Sequence, residues 1–331
     1  MKTPNFPALF QRFFLDRLGT QMEASPNTVA GYRDTFRLLL HFAMAKLGKP
    51  PTKLHIEDLD VDLIADFLMH IETARHNAAR SRNTRLAAIR SFFRFIAMSE
   101  PTYALHCQKI LAMPSKRYVR RVVDFLDKPE MDALLAAPDV STWIGRRDHA
   151  LLLLGLRTGL RASELVNLRC RDIALGTGAH VRCEGKGRKP RCTPIRRDSL
   201  RTLAAWCKER AGAPEDPIFP TIRGDKLSRD ALEHIVHKYV DSAVANCPSL
   251  NGKRVSPHIL RHSTAMELLQ NGVDRTVIAL WLGHESVETT QMYVHADLRL
   301  KEKALARVNS SPSKPGRFQP ADELLTFLES L

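Results

Sequence analysis

The chain of 331 residues is long enough for two hydrophobic cores, and its 44% hydrophobic and 26% charged composition excludes an intrinsically disordered protein. Its formal net charge of +14 predicts a polyanionic partner, because clustered lysines and arginines neutralise phosphates and release counterions. The longest apolar run, residues 150–156, is too short to cross a bilayer, so we expect no membrane partner.

Two further features predict a cytoplasmic protein. Residues 1–5 lead into no apolar segment of the kind that forms a secretory signal. The six cysteines are scattered without a C-x-x-C pair, which indicates reduced thiols rather than a disulfide framework or a zinc site. Cys183 and Cys192 could face each other across a hairpin, but we expect no bridge between them.

The first hundred residues are predicted to be helical throughout. Pro26 predicts the start of a helix whose cap is Asn27 or Thr28. Apolar residues at helical spacing predict two further helices, over residues 56–71 and 82–98.

The last of these helices carries a second, polar stripe. Its residues form either a solvated face or a surface that contacts DNA phosphates or base edges, and the positive charge of the chain favours DNA. We therefore predict DNA contacts from four residues of this helix: Arg82, Asn83, Arg90 and Arg94.

Residues 101–124 break the helical pattern with two prolines and are predicted to be an interdomain linker. The linker carries a basic cluster, comprising Lys116, Arg117, Arg120 and Arg121. These charges form either an ordinary exposed run or contacts to a duplex that two basic domains clamp, and we favour the DNA contacts.

Residues 125–309 are predicted to form a second, mostly helical domain. Within it, residues 146–158 read as a buried helix. The periodicity then changes to that of strands over 179–183 and 191–195, which flank a glycine-containing turn and predict a β-hairpin. Helices resume from Ser199, so the predicted fold class is mainly α with a small antiparallel β-sheet.

The tail, residues 310–331, divides into two segments. Residues 310–320 are rich in Ser, Pro and Lys and predict a flexible connector, and residues 321–331 predict an amphipathic helix. A short apolar helix must bury its face, either on its own domain or on a neighbouring copy, and the spacing leaves both open.

Tyr293 is a candidate nucleophile. A lone tyrosine is usually a core residue, but Tyr293 follows histidines and arginines that suit metal-free cleavage of a phosphodiester. A phenol has a pKa near 10, so a nucleophilic tyrosine needs a base or cations that lower its pKa. We expect Arg161 and Arg261 to supply those cations.

Arg161 and Arg261 are predicted to clamp a phosphate. A guanidinium stays charged, forks onto non-bridging oxygens and stabilises a pentacoordinate phosphorus without a metal. Glu164 lies three residues after Arg161, where it could form a surface ion pair or orient the arginine, and we favour the second.

His258 and His262 stand at i and i+4, a spacing that is also found in helical zinc sites. A zinc protease motif would require Glu where this chain has Ile259, so we predict no metal. His258 is assigned to proton transfer near Tyr293, and His262 to a structural role.

Lys186 lies in the turn of the predicted hairpin, followed by two more cations, Arg188 and Lys189, which we expect to contact DNA. The spacing excludes a phosphate-binding Walker loop. Glycines on both sides let the backbone turn sharply, so that the lysine side chain can reach into a groove and protonate a leaving 5′ oxygen.

In their order and spacing, five stretches of the chain resemble the tyrosine recombinases, also called the phage integrase family. The stretches are residues 158–165 (TGLRASEL), 185–189 (GKGRK), 258–262 (HILRH), 282–284 (LGH) and Tyr293. The N-terminal half also resembles the family's helical, SAM-like core-binding domain, notably over 83–95. Within the family the chain is most similar to Xer-like recombinases and to integrases of bacterial transposons and integrative elements.

The resemblance implies that Tyr293 attacks a DNA phosphate and forms a 3′-phosphotyrosyl link. It further implies that Lys186 protonates the departing 5′ hydroxyl, that His258 assists proton transfer, and that three side chains hold the transition state: Arg161, Arg261 and His284. Because bond energy is kept in the covalent intermediate, neither ATP nor a metal is expected as a cofactor.

The same resemblance implies a site-specific recombinase that integrates or excises a mobile element, as in transposition, and acts as a tetramer on double-stranded DNA in the nucleoid. Sister recombinases or accessory DNA-bending proteins are possible partners. The implied domains are a core-binding domain (1–100), a basic linker (101–124), a catalytic α+β domain (125–309) and a tethered helix (310–331) that docks on a neighbouring protomer.

Three other functions are compatible with some of these sequence features. A type IB topoisomerase uses related chemistry without a second duplex. A DNA-binding accessory protein could carry an unused site, and a zinc hydrolase could use the histidines. The two-domain layout and the tethered tail favour a recombinase over a topoisomerase, whereas activity of Tyr293→Phe and bound zinc would distinguish the other two.

Overall fold

The computed structural model describes residues 5–118, 123–185 and 190–284, together with Thr290 and Tyr293. The chain divides into two compact units, Met1–Arg120 and Arg121–Leu331. Each unit buries a hydrophobic core of its own. The predicted fold class, mainly helical with a small antiparallel sheet, is confirmed.

The first unit is a bundle of helices. Three of them meet at the rings of Phe13, Phe36 and Phe92, whose centroids lie 5.3 to 6.2 Å apart in edge-on arrangements. The described helices are α1 (Phe6–Arg12, continuing as a π-helix over Phe13–Gln21), α2 (Pro26–Leu47), α3 (Val61–Thr73), α4 (Ala79–Ser99) and α5 (Ala104–Leu111).

The predicted helix starts differ in two places. The cap of α2 is Ser25, whose hydroxyl accepts a hydrogen bond from the Thr28 amide at 3.2 Å, and not Asn27 or Thr28. Pro26 occupies the first helical position, where its missing N–H costs nothing, so the cap precedes it. The helix predicted from residue 56 begins as α3 only after Asp60, whose carboxylate caps the Leu63 amide at 2.8 Å.

The prediction of a linker from residue 101 was wrong for its first part, because residues 101–111 are helical. A single turn over Pro101–Tyr103 leads into α5, which buries Cys107 and Ile110 in the core of the first unit. Pro101 is tolerated there because it occupies the first turn of a helix. Met113 is also buried, and an exposed segment follows it.

The second unit packs its helices around α7, whose apolar run is buried. Its helices are α6 (Lys128–Ala136), α7 (Trp143–Thr158), α8 (Ala162–Asn167), α9 (Arg197–Arg210), α10 (Arg229–Ala243), α11 (Pro257–Gln270) and α12 (Arg275–Leu282). No helix in the described part of the chain is long and apolar enough to span a membrane.

A three-stranded antiparallel sheet completes this unit. Strands β2 (His180–Glu184) and β3 (Pro190–Pro194) form the predicted hairpin, and β1 (Ile173–Ala174) pairs with β2. The sequence analysis missed β1 because two residues are too few to show an alternation. Cys183 is paired with Arg191 and not with Cys192, and both thiols are free, as expected.

A buried ion pair joins α7 to α10. The Arg147 guanidinium donates to Asp148 Oδ1 at 2.8 and 2.7 Å, and the Tyr239 hydroxyl donates to Asp148 Oδ2 at 3.0 Å. Arg147 also donates to the Pro220 carbonyl at 2.8 Å. Burial and the neighbouring carboxylate of Asp148 raise the pKa of Tyr239, so the phenol stays protonated and remains a donor.

We expect Asp148→Ala to lower the free energy of unfolding of the second unit by about 3–5 kcal/mol, because it leaves the buried Arg147 unpaired. All three tryptophans belong to this unit, so tryptophan fluorescence during urea denaturation reports on it. The control is Asp132→Ala at an exposed position, which should change the free energy by less than about 0.5 kcal/mol. Equal losses in the two variants would contradict the role of the pair.

Candidate active site

The site begins where α7 ends. Gly159 stops this helix in the left-handed conformation (φ 64°), and Arg161 then begins α8. Glu164 returns to this turn, where its Oε2 accepts a hydrogen bond from the Arg161 backbone amide at 2.7 Å. The short sequence between the two helices therefore places the guanidinium of Arg161 and the carboxylate of Glu164 side by side.

Glu164 binds two arginines. Its Oε1 accepts from Arg161 Nη1 at 2.8 Å and from Arg191 Nη1 at 2.9 Å, and its Oε2 accepts from Arg191 Nη2 at 2.8 Å. These donors outweigh burial and hold the pKa of this carboxyl below its usual value. The prediction that Glu164 orients Arg161 agrees with this geometry, whereas the sequence analysis missed Arg191, on strand β3.

The second predicted clamp residue, Arg261, lies on α11 and is only 2% exposed. Its guanidinium donates to the carbonyls of Gly159 and Leu282, each at 2.8 Å. Arg161 Nη2 donates to the carbonyl of Gly283, also at 2.8 Å. The C-terminal turns of α7 and α12 thus bring together two arginines that lie a hundred positions apart in the sequence.

Burial, and then the charge of Arg161, lower the pKa of Arg261 to about 10, so it remains protonated at neutral pH. Among the described residues, three guanidiniums (Arg161, Arg191, Arg261) and the carboxylate of Glu164 leave this cluster with a net charge of +2. Such a cluster suits a phosphodiester whose negative charge grows in the transition state.

Tyr293 lies in the same unit and is only 1% exposed. Its hydroxyl is 2.9 Å from His262 Nδ1, and its ring stacks on His284 with centroids 6.3 Å apart. Burial raises the pKa of Tyr293 to about 12, although Arg261 and Arg161 act in the opposite direction. The two arginines lower this pKa as expected, but in this conformation removal of the phenol from water has the larger effect, so the pKa is raised overall.

The histidine that contacts the tyrosine is His262, which the sequence analysis had assigned to a structural role. His258 is exposed, and its ring centroid lies 4.7 Å from that of His262. Burial, and then the charges of His258 and Arg261, lower the pKa of His262 to about 4, so its ring is neutral at pH 7. A neutral imidazole with its hydrogen on Nε2 can accept the phenolic proton at Nδ1.

His284 follows Gly283, which ends α12 in the left-handed conformation (φ 65°). Its Nδ1 lies 2.9 Å from the hydroxyl of Thr290, a contact that the sequence analysis did not predict. Burial and then the charges of Arg261 and Arg161 lower the pKa of His284 to about 4. The charges of both clamp arginines thus act on His284, whose part in holding the transition state stays a prediction.

Several predicted site residues lie outside the described residues: Lys186, Arg188, Lys189, Arg120 and Arg121. Residues 310–331, the predicted tail, lie outside them as well. Within the described part of the chain, no group of three or more His, Cys, Asp or Glu side chains could hold a metal ion.

In the first unit, Asn83 is engaged with the polypeptide backbone. Its side-chain amide donates to the Lys116 carbonyl at 2.8 Å and accepts from the Lys116 amide at 3.0 Å. Glu72 pairs with Lys116 Nζ at 2.9 Å and with Arg82 Nε at 3.7 Å. Asn83 therefore holds residues 114–118, the basic segment, against α4. Arg94 and Arg117 are exposed.

Arg90 also contacts this segment. Its Nη1 lies 3.4 Å from the Ser115 hydroxyl, and its buried Nε has no hydrogen-bond partner among the described residues. Contact with DNA by Arg82, Asn83, Arg90 and the basic segment stays a prediction.

We expect Gly159→Ala to destabilise the second unit more than a matched glycine substitution. An added Cβ would lie 2.6 Å from Leu282 Cδ2, next to the carbonyls that hold Arg261, whereas Gly178→Ala, also at positive φ, would meet nothing within 4 Å. Gly178→Ala should cost about 1–2 kcal/mol for its backbone conformation, and Gly159→Ala about 1–3 kcal/mol more. Tryptophan fluorescence in urea measures both; equal costs would contradict the close packing at Gly159.

We expect the stability of the second unit to fall as the pH is lowered from about 6.5 towards 4. His262 and His284 have folded-state pKa values of about 4 against an ordinary value of 6.5, so in this window the unfolded chain binds protons that the folded chain does not. Replacing both residues with Asn should make the free energy of unfolding less dependent on pH between 7 and about 5. An unchanged slope would contradict neutral, buried imidazoles.

Comparisons with known proteins identify the family of this chain. The model of the phage integrase family matches residues 124–299, and that of the phage integrase N-terminal SAM-like domain matches residues 12–100. A putative integrase/recombinase, y4rC of Sinorhizobium fredii, is 52% identical over 100% of this chain and 99% of its own length. A tyrosine recombinase XerC of Pelobacter propionicus is 34% identical over 88% of this chain and 92% of its own length.

Solved structures show the same fold. XerH site-specific recombinase bound to its difH substrate superposes with a TM-score of 0.64 at 22% identity, covering 86% of this chain and 81% of XerH. The Tn1549 transposon integrase in complex with transposon right end DNA gives 0.67 at 14% identity, covering 90% of this chain and 98% of that chain. The family matches and the 52% identical relative show that this chain belongs to the phage integrase family, the tyrosine recombinases.

Proposed function

We propose that this site-specific DNA recombinase breaks and rejoins strands through Tyr293. The observation that carries the proposal is the hydrogen bond of 2.9 Å between the buried Tyr293 hydroxyl and His262, beside a cluster of arginines. A core tyrosine has no need of two guanidiniums whose charges act on its hydroxyl. A phenol that attacks phosphorus needs both an acceptor for its proton and cations for the phosphate.

In the first step, the Tyr293 oxygen attacks the scissile phosphorus, and the bond from phosphorus to the 5′ oxygen breaks. The phenolic proton passes to His262, which replaces His258 in this role because His262 makes the contact. Arg161 and Arg261 bind the non-bridging oxygens with the N–H groups that their backbone contacts leave free. Lys186 gives a proton to the departing 5′ oxygen.

The second step reverses the first on a different strand. The free 5′ hydroxyl of a partner duplex gives its proton to the neutral amine of Lys186 and attacks the phosphotyrosine, and the bond from phosphorus to the tyrosine oxygen breaks. His262 returns the proton to the phenol. One phosphodiester is exchanged for another, so the sequence of steps consumes neither ATP nor water.

The buried tyrosine implies a resting conformation. At 1% exposure, Tyr293 cannot reach a phosphate in a duplex, and its pKa of about 12 disfavours the nucleophilic phenolate. We propose that binding of DNA opens this pocket and places a phosphate against the arginines and the Tyr293 hydroxyl, which keeps its contact with His262. The negatively charged phosphate oxygens then pair with the arginine cluster, whose net charge is positive.

The proposal extends to the biological setting. XerH is described bound to a difH substrate, and the Tn1549 integrase in complex with transposon right end DNA. By analogy we propose double-stranded DNA as the substrate here, and from the family resemblance we propose exchange between two duplexes by a tetramer. We assign the chain to a mobile element in the nucleoid, with the 310–331 helix docked on a neighbouring protomer. The side chains that we propose to contact DNA are the ten predicted from the sequence: Arg82, Asn83, Arg90, Arg94, Lys116, Arg117, Arg120, Arg121, Arg188 and Lys189.

We expect wild-type protein to form a covalent adduct with DNA that survives SDS, without added metal or ATP, and Tyr293→Phe to form none. The DNA comprises labelled duplexes that tile the ends of the encoding locus, together with duplexes that Tyr293→Phe selects by binding from a randomised pool. Tyr103→Phe is the matched control, because it removes the same hydroxyl from a tyrosine outside both the site and the basic segment and should keep full adduct formation.

Adduct formation by Tyr293→Phe would contradict the proposal, as would wild-type protein that binds selected duplexes tightly without cleaving them. The second outcome would favour a non-catalytic DNA-binding accessory protein. Relaxation of supercoiled DNA without exchange between two duplexes would favour activity of the topoisomerase kind.

A further inference from the structure

Arg191 on strand β3 has no task in the proposed reaction, yet it lies within the site. Its guanidinium forms two nearly parallel hydrogen bonds to Glu164, from Nη1 to Oε1 at 2.9 Å and from Nη2 to Oε2 at 2.8 Å. The side chain is only 13% exposed, and its buried Nε has no hydrogen-bond partner among the described residues. A desolvated guanidinium destabilises the folded chain unless a carboxylate pairs with it, as Glu164 pairs with Arg191.

The pairing changes how Glu164 holds Arg161. Each oxygen of Glu164 accepts one hydrogen bond from Arg161 and one from Arg191, so the carboxylate is saturated with four. If Arg191 were absent, Glu164 would pair with Arg161 alone and neutralise its charge. The second guanidinium therefore raises the net charge of the cluster from +1 to +2 while it fixes the carboxylate in place.

Arg191 also contacts the turn that precedes His284. A Cβ built on Gly283 would lie only 2.4 Å from Arg191 Nη1, so the guanidinium packs directly on this backbone. The carbonyl of the same glycine accepts from Arg161 Nη2 at 2.8 Å. One side chain thus touches both the carboxylate and the turn that hold the phosphate-binding arginine.

We propose that Arg191 is a positioning residue for Arg161. Through Glu164 and the Gly283 turn, it fixes the Arg161 guanidinium in the geometry that receives the scissile phosphate, without touching the phosphate itself. Because Arg191 belongs to β3, it also ties the hairpin to the N-terminus of α8. The inference rests on the proposed function, since it assigns Arg191 to the cleavage step.

The test compares Arg191→Met, which removes the fork, with Arg191→Lys, which keeps the charge. The measured quantity is the single-turnover rate of adduct formation on a duplex that the wild-type chain cleaves. At saturating DNA we expect Arg191→Met to lose about 10- to 100-fold in rate, the range typical of residues that orient a binding group. The DNA concentration for half-maximal rate should change by less than about 3-fold, and Arg191→Lys should lie between Met and wild type, because an ammonium cannot bridge both oxygens.

A double-mutant cycle with Glu164→Gln separates positioning from a general role in stability. If Arg191 acts through Glu164, Arg191→Met should cost much less in the Glu164→Gln background than in the wild type. The double variant removes both buried charges, so it is expected to fold even where Arg191→Met alone does not. Urea denaturation of each variant establishes that the chains compared are folded.

Two results would overturn the inference: an Arg191→Met rate equal to that of wild type, or an equal loss from Arg191→Met in both backgrounds. Wild-type protein that forms no adduct on selected duplexes would instead contradict the proposed function. The two failures are therefore distinguishable in one experiment.

Discussion

The site depends on the ion pairs that the carboxylate of Glu164 forms with Arg161 and Arg191. The carboxylate is 6% exposed and saturated by four hydrogen bonds from two arginines and a backbone amide. A buried carboxylate with a single partner would lower the stability of the fold. Without the carboxylate, electrostatic repulsion between the buried guanidiniums would separate them. Glu164 thus allows Arg161 and Arg191 to lie close to Arg261 and still leave a net positive charge.

Burial sets the protonation states around the tyrosine. The pKa of Tyr293 is raised to about 12, and those of His262 and His284 are lowered to about 4, and in each case the largest cause is removal from water. The closed site therefore holds a protonated phenol and two neutral imidazoles. In the proposed reaction, a base is available beside the nucleophile, while the phenolate forms only when a phosphate and solvent reach the pocket.

The sequence predicted the parts of this molecule that rest on local patterns. The hairpin follows from alternating strands around a glycine turn, and the clamp residues follow from motifs of fixed spacing. The role of Arg191 was missed because it depends on the pairing of Arg191 with Cys183 and on a turn near residue 283, both distant in sequence. The contact of His262 with Tyr293 was missed for a similar reason: His258 and His262 occupy one face of α11, and only packing places His262 against the phenol.

The most direct test of the account is an experimental structure of Tyr293→Phe bound to a duplex that the wild-type chain cleaves. We predict that one phosphate places its non-bridging oxygens about 3 Å from guanidinium nitrogens of Arg161 and Arg261, with Glu164 still bound between Arg161 and Arg191. We also predict that residue 293 is no longer enclosed and lies beside both that phosphate and His262. A phosphate bound away from both arginines, or DNA bound with residue 293 still enclosed, would contradict this account.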